Sequence, residues 1–327
     1  MKPWLFLPPQ FAHDISPWVI KLVSWIYEDD PIPVWGSFQW KGLLFKNPLG
    51  LAGGVDKNAE NVLDWWRLGC GFLEIGTVTP LPQGPNPMPI LARNIEKQSL
   101  WNRMGFPNHG VQEVYYNLKS YAPSFRTPVF VNVGKNRTTK NDNAIDDYLA
   151  CLRQFESLAQ VFVLNISSPN TVGLRDLQKP EQLKKLIGPL KQELESKNNQ
   201  PLLVKLSPDQ TDEELYQTVT TCQQLGVDGF ILTNTTTSRK MTPDFPKEGG
   251  VSGLPLKELS RETLRKVIAC LGEKRRGMLI VSVGGVLTPE DVFERLKDGA
   301  DLVQAYTALV WSGPKFFRDT YKAWLTR

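Results

Sequence analysis

Histidine is scarce in this chain: among 327 residues there are two, His13 and His109. That is too few for a histidine-based metal centre and poor material for a Ser-His-Asp triad. Cysteine is nearly as rare, and Cys70, Cys151, Cys222 and Cys270 stand far apart. No C-x-x-C pair offers a zinc or dithiol site, so they read as isolated thiols in a reducing compartment. Charge of either sign is nearly balanced, with 38 Lys plus Arg against 34 Asp plus Glu for a net +4. Without long basic blocks, nucleic acid is not the expected partner, although an anionic small ligand is compatible. No apolar run reaches the ~18 residues of a membrane-spanning helix, and the N-terminus carries neither a signal-peptide pattern nor an Arg-rich presequence.

What the chain does have is apolar surface, with 41% hydrophobic and 10% aromatic residues. The length exceeds the ~100 to 200 residues of a common domain but suits an α/β barrel of ~200 to 250 residues with an appendage. The first 40 residues hold Trp4, Trp18, Trp25, Trp35 and Trp40, half of the ten tryptophans. From Pro17 to Tyr27 apolar residues cover most of a helix circumference and leave Lys21, Ser24 and Glu28 as a narrow polar stripe. Such a helix needs two apolar neighbours: either it is sandwiched inside the protein, or one side meets the acyl boundary of a bilayer. Periodicity alone leaves both open.

From Asn47 onward short β-branched runs alternate with amphipathic stretches. Strands are predicted at Leu49 to Ala52, Phe72 to Ile75, Val129 to Val133, Val161 to Ile166, Leu202 to Leu206, Gly229 to Thr233, Leu279 to Val283 and Leu302 to Ala305. Helices are predicted at Asn58 to Leu68, Gly110 to Ala122, Ala144 to Phe155, Pro180 to Lys197, Asp212 to Leu225, Pro255 to Cys270, Pro289 to Asp298 and Pro314 to Leu325. Eight buried strands with eight crossover helices point to an α/β fold, a (β/α)8 TIM barrel with a small N-terminal helical extension; an open doubly wound sheet is the alternative. The expected division is an extension over 1–40 and a barrel over 41–327.

In such barrels chemistry sits just after the strands. Here those positions are polar in seven of eight cases: Gly53-Gly54-Val55-Asp56-Lys57, Thr77, Asn132, Asn165 through Asn170, Lys205, Thr233-Asn234-Thr235, and Tyr306-Thr307, with Gly284-Gly285 as the exception. One Asn or Thr after a strand is ordinarily a turn residue, and a lone lysine there is ordinarily a surface group. The ordered set favours a site.

These segments carry a family resemblance. The runs Lys46 to Asn58, Glu74 to Pro80, Asn102 to Phe106, Val131 to Asn136, Asn165 to Asn170 continuing to Arg175, Thr233 to Thr235, Gly250 to Gly253 and Val303 to Tyr306 resemble the dihydroorotate dehydrogenases. The chain looks most like their quinone-dependent, membrane-associated class 2. The resemblance implies FMN as cofactor, held by Gly53, Gly54, Val55, Asp56, Lys57, Thr77, Asn132, Asn165, Lys205, Thr233, Gly253, Gly285, Tyr306 and Thr307. It implies dihydroorotate and orotate as substrate and product, met by Lys57, Asn102, Arg103, Met104, Gly105, Phe106, Asn165, Asn170, Asn234 and Thr235. An asparagine amide offers both a donor and an acceptor, which suits the amide edges of a dihydropyrimidine. Ser168 matches the family's catalytic base, where the soluble class carries Cys.

By the same resemblance, His13 and Arg93 mark a tunnel for ubiquinone or menaquinone, and the N-terminal helix rests on a membrane surface. A monomeric peripheral protein on the cytoplasmic face of a bacterial-type inner membrane is expected, without a metal and without nucleic acid. Some positions depart from the family pattern: Gly53 stands where alanine is more usual, Met88, Ile90 and Ala92 replace more basic or aromatic residues, and Pro107 follows Phe106. Two other readings are a soluble fumarate- or NAD-linked enzyme, and a flavin-free barrel acting as a scaffold.

Overall fold

The computed structural model describes residues 2–122 and 125–327. Thirteen strands are present among them: β1 (Phe38–Trp40), β2 (Leu43–Phe45), β3 (Leu49–Leu51), β4 (Leu73–Val78), β5 (Leu91–Asn94), β6 (Ser99–Asn102), β7 (Val129–Val133), β8 (Val161–Asn165), β9 (Leu202–Leu206), β10 (Gly229–Leu232), β11 (Gly250–Gly253), β12 (Leu279–Val283) and β13 (Leu302–Ala305). Eight of them close into a parallel barrel in the order β3-β4-β7-β8-β9-β10-β12-β13 and back to β3. These are the eight strands that the apolar runs predict. Closure excludes the open sheet.

Ten α-helices accompany them: α1 (Pro9–Ser24), α2 (Val62–Arg67), α3 (Gly110–Tyr121), α4 (Ala144–Phe155), α5 (Pro180–Glu195), α6 (Asp212–Gln224), α7 (Lys257–Leu271), α8 (Pro289–Lys297), α9 (Thr307–Ser312) and α10 (Phe316–Leu325). Capping boxes start two of them, Thr211 with Glu214 at α6 and Thr288 with Asp291 at α8. The start expected at Asn58 moves to Val62 for a local reason. The Asp56 carboxylate accepts the backbone N–H groups of Glu60 and Asn61, at 2.9 and 3.0 Å, and Ala59 has φ +57°, so this stretch is a fixed turn leading out of β3.

The barrel interior is filled by Phe72, Phe130, Val161, Val163, Leu203, Ile231, Leu279, Val281 and Leu302. The β1–β2 hairpin closes the end where the strands begin: Phe45 stacks on Phe38 with ring centroids 4.9 Å apart and meets Phe72 and Phe130 edge-on. A boundary at residue 40 would cut this hairpin and detach the buried Ile32 and Trp35 from the core. A second sheet absent from the sequence expectations, β5-β6-β11, is antiparallel and joins the connection after β4 to the connection after β10. It stands beside the barrel mouth and carries Asn102 at the end of β6.

At the N-terminus, α1 begins at Pro9 rather than Pro17, which lies inside the helix. Of the expected polar stripe only Ser24 turns inward, fully buried and donating to Asp64 Oδ1 at 2.6 Å; Lys21 is exposed, and so are Trp18 at 74% and Leu22 at 65%. Trp25, Ile26, Phe6 and Phe11 are exposed as well, whereas Ile20, Val23 and Tyr27 pack on the core. The helix is therefore one-sided, with a free side that is mostly apolar and includes Asp14 and Lys21. No helix among the described residues is long and apolar enough to cross a membrane.

Candidate active site

A cavity of about 970 Å³, part of it open to solvent, occupies the C-terminal mouth of the barrel. From the connection after β3 it takes Gly53, Gly54 and Lys57; from β4, Thr77; from β8 and beyond, Asn165, Ser168 and Asn170; from β9, Lys205. Thr233, Asn234 and Thr235 follow β10, Gly285 follows β12, and Tyr306 and Thr307 follow β13. The β6 connection folds over with Asn102, Met104, Gly105 and Phe106. Eighteen sequence-predicted residues thus share one cavity.

Five others lie outside its lining, each with a visible task. Asp56 fixes the turn described above, and burial pushes its carboxyl up to about 6. Val55 packs against the core, and Asn132 lies buried below the cavity, donating to Glu74. Gly253 has φ +88° and no room for a Cβ, which would come 2.1 Å from the Gln98 carbonyl oxygen. Arg103 pairs with Glu248 at 2.7 Å and donates to the Pro87 carbonyl.

The asparagines form a connected set. Asn170 Nδ2 donates to Asn102 Oδ1 at 2.8 Å, Asn165 Nδ2 to Thr77 Oγ1 at 2.8 Å, and Asn234 Nδ2 to Ser167 Oγ at 3.1 Å and Asn165 Oδ1 at 3.3 Å. With its amide nitrogen engaged, Asn170 keeps a buried Oδ1 without a protein partner. Ser168, nearly buried, accepts the Asn170 backbone N–H at 3.2 Å, so its own hydroxyl hydrogen is available to a ligand or a proton path.

At the opposite wall, Gly284 and Gly285 have φ +111° and +71°. A Cβ on Gly285 would lie 2.3 Å from Lys257 Cα, so glycine is required there. The buried Arg295 and Ser260 Oγ both donate to the Gly284 carbonyl at 2.7 Å, fixing the turn; desolvation holds the Arg295 guanidinium down at about 10, still charged at neutral pH.

Lys57 links this cavity to a second one of about 640 Å³, lined also by Gln10, His13 and Asp14 of α1 and by His109. Lys57 Nζ lies 3.3 Å from His13 Nε2. Desolvation lowers the lysine to about 8, against the opposing pull of Asp56, and lowers the imidazole to about 4, helped by the Lys57 charge. A neutral His13 therefore accepts from a charged Lys57 near pH 7. Arg93 instead gives 2.6 Å hydrogen bonds to the carbonyls of Leu5 and Leu7, anchoring the strand of chain that leads into α1. Sequence reasoning did not single out Glu74 or Gln304; the signal for both is a polar side chain inside an otherwise apolar barrel strand.

Among the described residues no three His, Cys, Asp or Glu gather in a way that would hold a metal ion. The thiols of Cys70, Cys151 and Cys222 are buried and pushed up by desolvation, and they stand apart from this chemistry.

Fold and site together define a (β/α)8 barrel enzyme with a polar small-molecule site at the strand C-termini. A family profile described as dihydroorotate dehydrogenase matches residues 37–324, and the chain belongs to that family. Curated relatives named dihydroorotate dehydrogenase (quinone) include one from Chromobacterium violaceum, 43% identical over 293 residues, covering 87% of this chain and 84% of the relative. Another, from Thermus thermophilus, is 45% identical over 280 residues, covering 85% and 79%. Two crystal structures of DHODH from Eimeria tenella superpose on it. The ferulenol complex has a TM-score of 0.85 at 32% identity and covers 98% of this chain and 92% of that one. The ligand-free form has a TM-score of 0.88 at 34% identity and covers 98% and 94%.

Proposed function

We propose that the enzyme oxidises (S)-dihydroorotate to orotate in pyrimidine biosynthesis, with FMN as the resident cofactor and a membrane quinone, ubiquinone or menaquinone, as the final acceptor. The observation that carries the reading is the single cavity in which Lys57, Lys205, Ser168 and the linked asparagines meet a glycine turn. Two features support FMN: the Gly284-Gly285 turn beside Thr307 suits a phosphate, and Gln304 presents a buried oxygen without a protein partner to the ring region. When bound, FMN accepts the hydride that leaves C6 of the substrate.

The chain's own groups do the rest. Lys57 and the Asn102–Phe106 backbone hold the substrate carboxylate, and the asparagine amides pair with its N–H and C=O edges. Such a site rejects analogues lacking those edges, because its own buried groups would be left unpaired. Ser168 Oγ takes the C5 proton. Serine is a weak base by itself, so as its oxygen takes the C5 proton its own hydroxyl proton must leave to solvent water; we assign Thr171, whose buried hydroxyl has no protein partner, to pass it on by giving up its own. Phe106 and Pro107 cover the site against water.

The exposed apolar side of α1 rests on the bilayer surface, which makes the protein peripheral, and the quinone enters between the N-terminal segment and the barrel past His13 and Arg93; a monomer on the cytoplasmic face belongs to the same proposal. Purification should therefore yield a yellow protein whose flavin absorbance bleaches when dihydroorotate is added without oxygen. A colourless protein that takes up no FMN would end this reading.

A further inference from the structure

One charge at the floor of the cavity has no place in the chemistry above. Glu74 of β4 is fully buried. Its carboxylate collects donors from three other barrel strands. Oε1 accepts from Lys205 Nζ of β9 at 3.1 Å and from Asn132 Nδ2 of β7 at 2.5 Å, and Oε2 accepts from Gln304 Nε2 of β13 at 2.5 Å. Elsewhere the barrel interior is filled by Phe, Val, Leu and Ile. A buried ion pair is seldom the more stable way to fill a core, since desolvation offsets its attraction. Stability gives no reason for it here, and position does: Lys205 and Gln304 both line the cavity.

We infer that Glu74 is a positioning residue which, through Lys205, sets how much positive charge the barrel presents to the flavin, and which turns Gln304 so that its oxygen is left to accept from the bound ring. The inference rests on the reading of the cavity as an FMN site. A reduced flavin gains negative charge, so an unscreened ammonium beside it favours reduction. Glu74 at 3.1 Å cancels part of that field and holds the potential low enough for electrons to be passed on. The Gln304 amide, obliged to give its N–H to the acid, turns its oxygen away, and that oxygen is buried without a protein partner.

Gly53 is matched to this arrangement. A Cβ there would fall 2.2 Å from Glu74 Oε1 and 3.1 Å from Asn132 Nδ2. Glycine at 53 is what lets the carboxylate reach Lys205 across the barrel.

The test is spectroelectrochemistry of the FMN-loaded protein, with FMN affinity measured alongside by fluorescence. Glu74→Gln keeps the shape but removes the charge, and it is expected to make the two-electron midpoint potential more positive, raising the reduced-to-oxidised ratio about tenfold, or about 30 mV. FMN affinity should fall as well, since the new amide N–H2 faces Gln304 and forces it over. In a Lys205→Met background the same change should do nothing, because an unpaired buried carboxylate takes up a proton rather than stay charged. This cycle separates action through Lys205 from a direct effect. Gly53→Ala, which displaces the carboxylate but leaves its charge, should shift the potential in the same direction by less, and it decides the matter if Glu74→Gln holds no FMN. An unchanged or more negative potential in Glu74→Gln, an equal shift with and without Lys205, or an unmoved potential in Gly53→Ala would overturn the inference while leaving the FMN reading intact. Failure of the unaltered protein to bind FMN would overturn both.

Discussion

The Lys57 ammonium, part of the main cavity wall, meets the His13 imidazole of α1 at 3.3 Å. The N-terminal helix is thereby tied to the residue to which we assign the substrate carboxylate. With Lys57 lowered to about 8, its charge is present below that pH and lost above it. The KM for dihydroorotate is therefore expected to be flat from pH 6 to 7 and to climb above about 8, well before an ordinary lysine would titrate. Steady-state kinetics across pH 6 to 10 checks this. A flat KM through pH 9 would remove Lys57 from carboxylate binding.

Ser168→Ala should retain bound FMN and lose reduction by dihydroorotate by about 10²-fold or more, the usual scale for removing a positioned base. Stopped-flow bleaching reads it directly. Because Ser168 is nearly buried and bonds only the Asn170 N–H in the protein, the fold should be untouched.

Asn102→Ala removes the acceptor of Asn170 Nδ2 and the substrate contact we propose for Asn102. A loss of about 1 to 3 kcal/mol in kcat/KM is expected, as for a buried hydrogen-bonding group left unpaired. If the loss falls wholly on quinone turnover and spares the dihydroorotate half-reaction, Asn102 serves something other than substrate.

Replacing Trp18, Leu22 and Ile26 together by serine should abolish sedimentation with anionic vesicles and slow quinone turnover, while bleaching by dihydroorotate proceeds as before. The three side chains are 65 to 74% exposed. Ser24→Ala acts oppositely. It strips the inward face of α1 of its bond to Asp64 and should lower unfolding stability by about 1 to 3 kcal/mol without changing vesicle binding.

The barrel was legible because its strands are short, mostly apolar runs such as Val129–Val133 and Val161–Asn165, each interrupted or ended by one asparagine and fully buried, and such runs have few other homes. The β5-β6-β11 sheet was not. Leu91–Asn94, Ser99–Asn102 and Gly250–Gly253 are four residues each, with neither alternation nor a common composition, and only tertiary contact makes them strands. Pro17 misplaced the start of α1, since proline ordinarily opens a helix and here lies within one. The site residues at the strand ends stood out by being polar where turns alone would not need so many. Glu74 did not, because its role depends on three donors from strands distant in sequence.

The measurement that tests the account most directly is reoxidation of the substrate-reduced enzyme. After anaerobic bleaching by dihydroorotate, quinone, fumarate and NAD are added separately and the return of flavin absorbance is followed. Rapid recovery with quinone alone is predicted. Recovery with fumarate or NAD, and none with quinone, would contradict it and place the enzyme with the soluble class despite Ser168 and the exposed apolar face of α1.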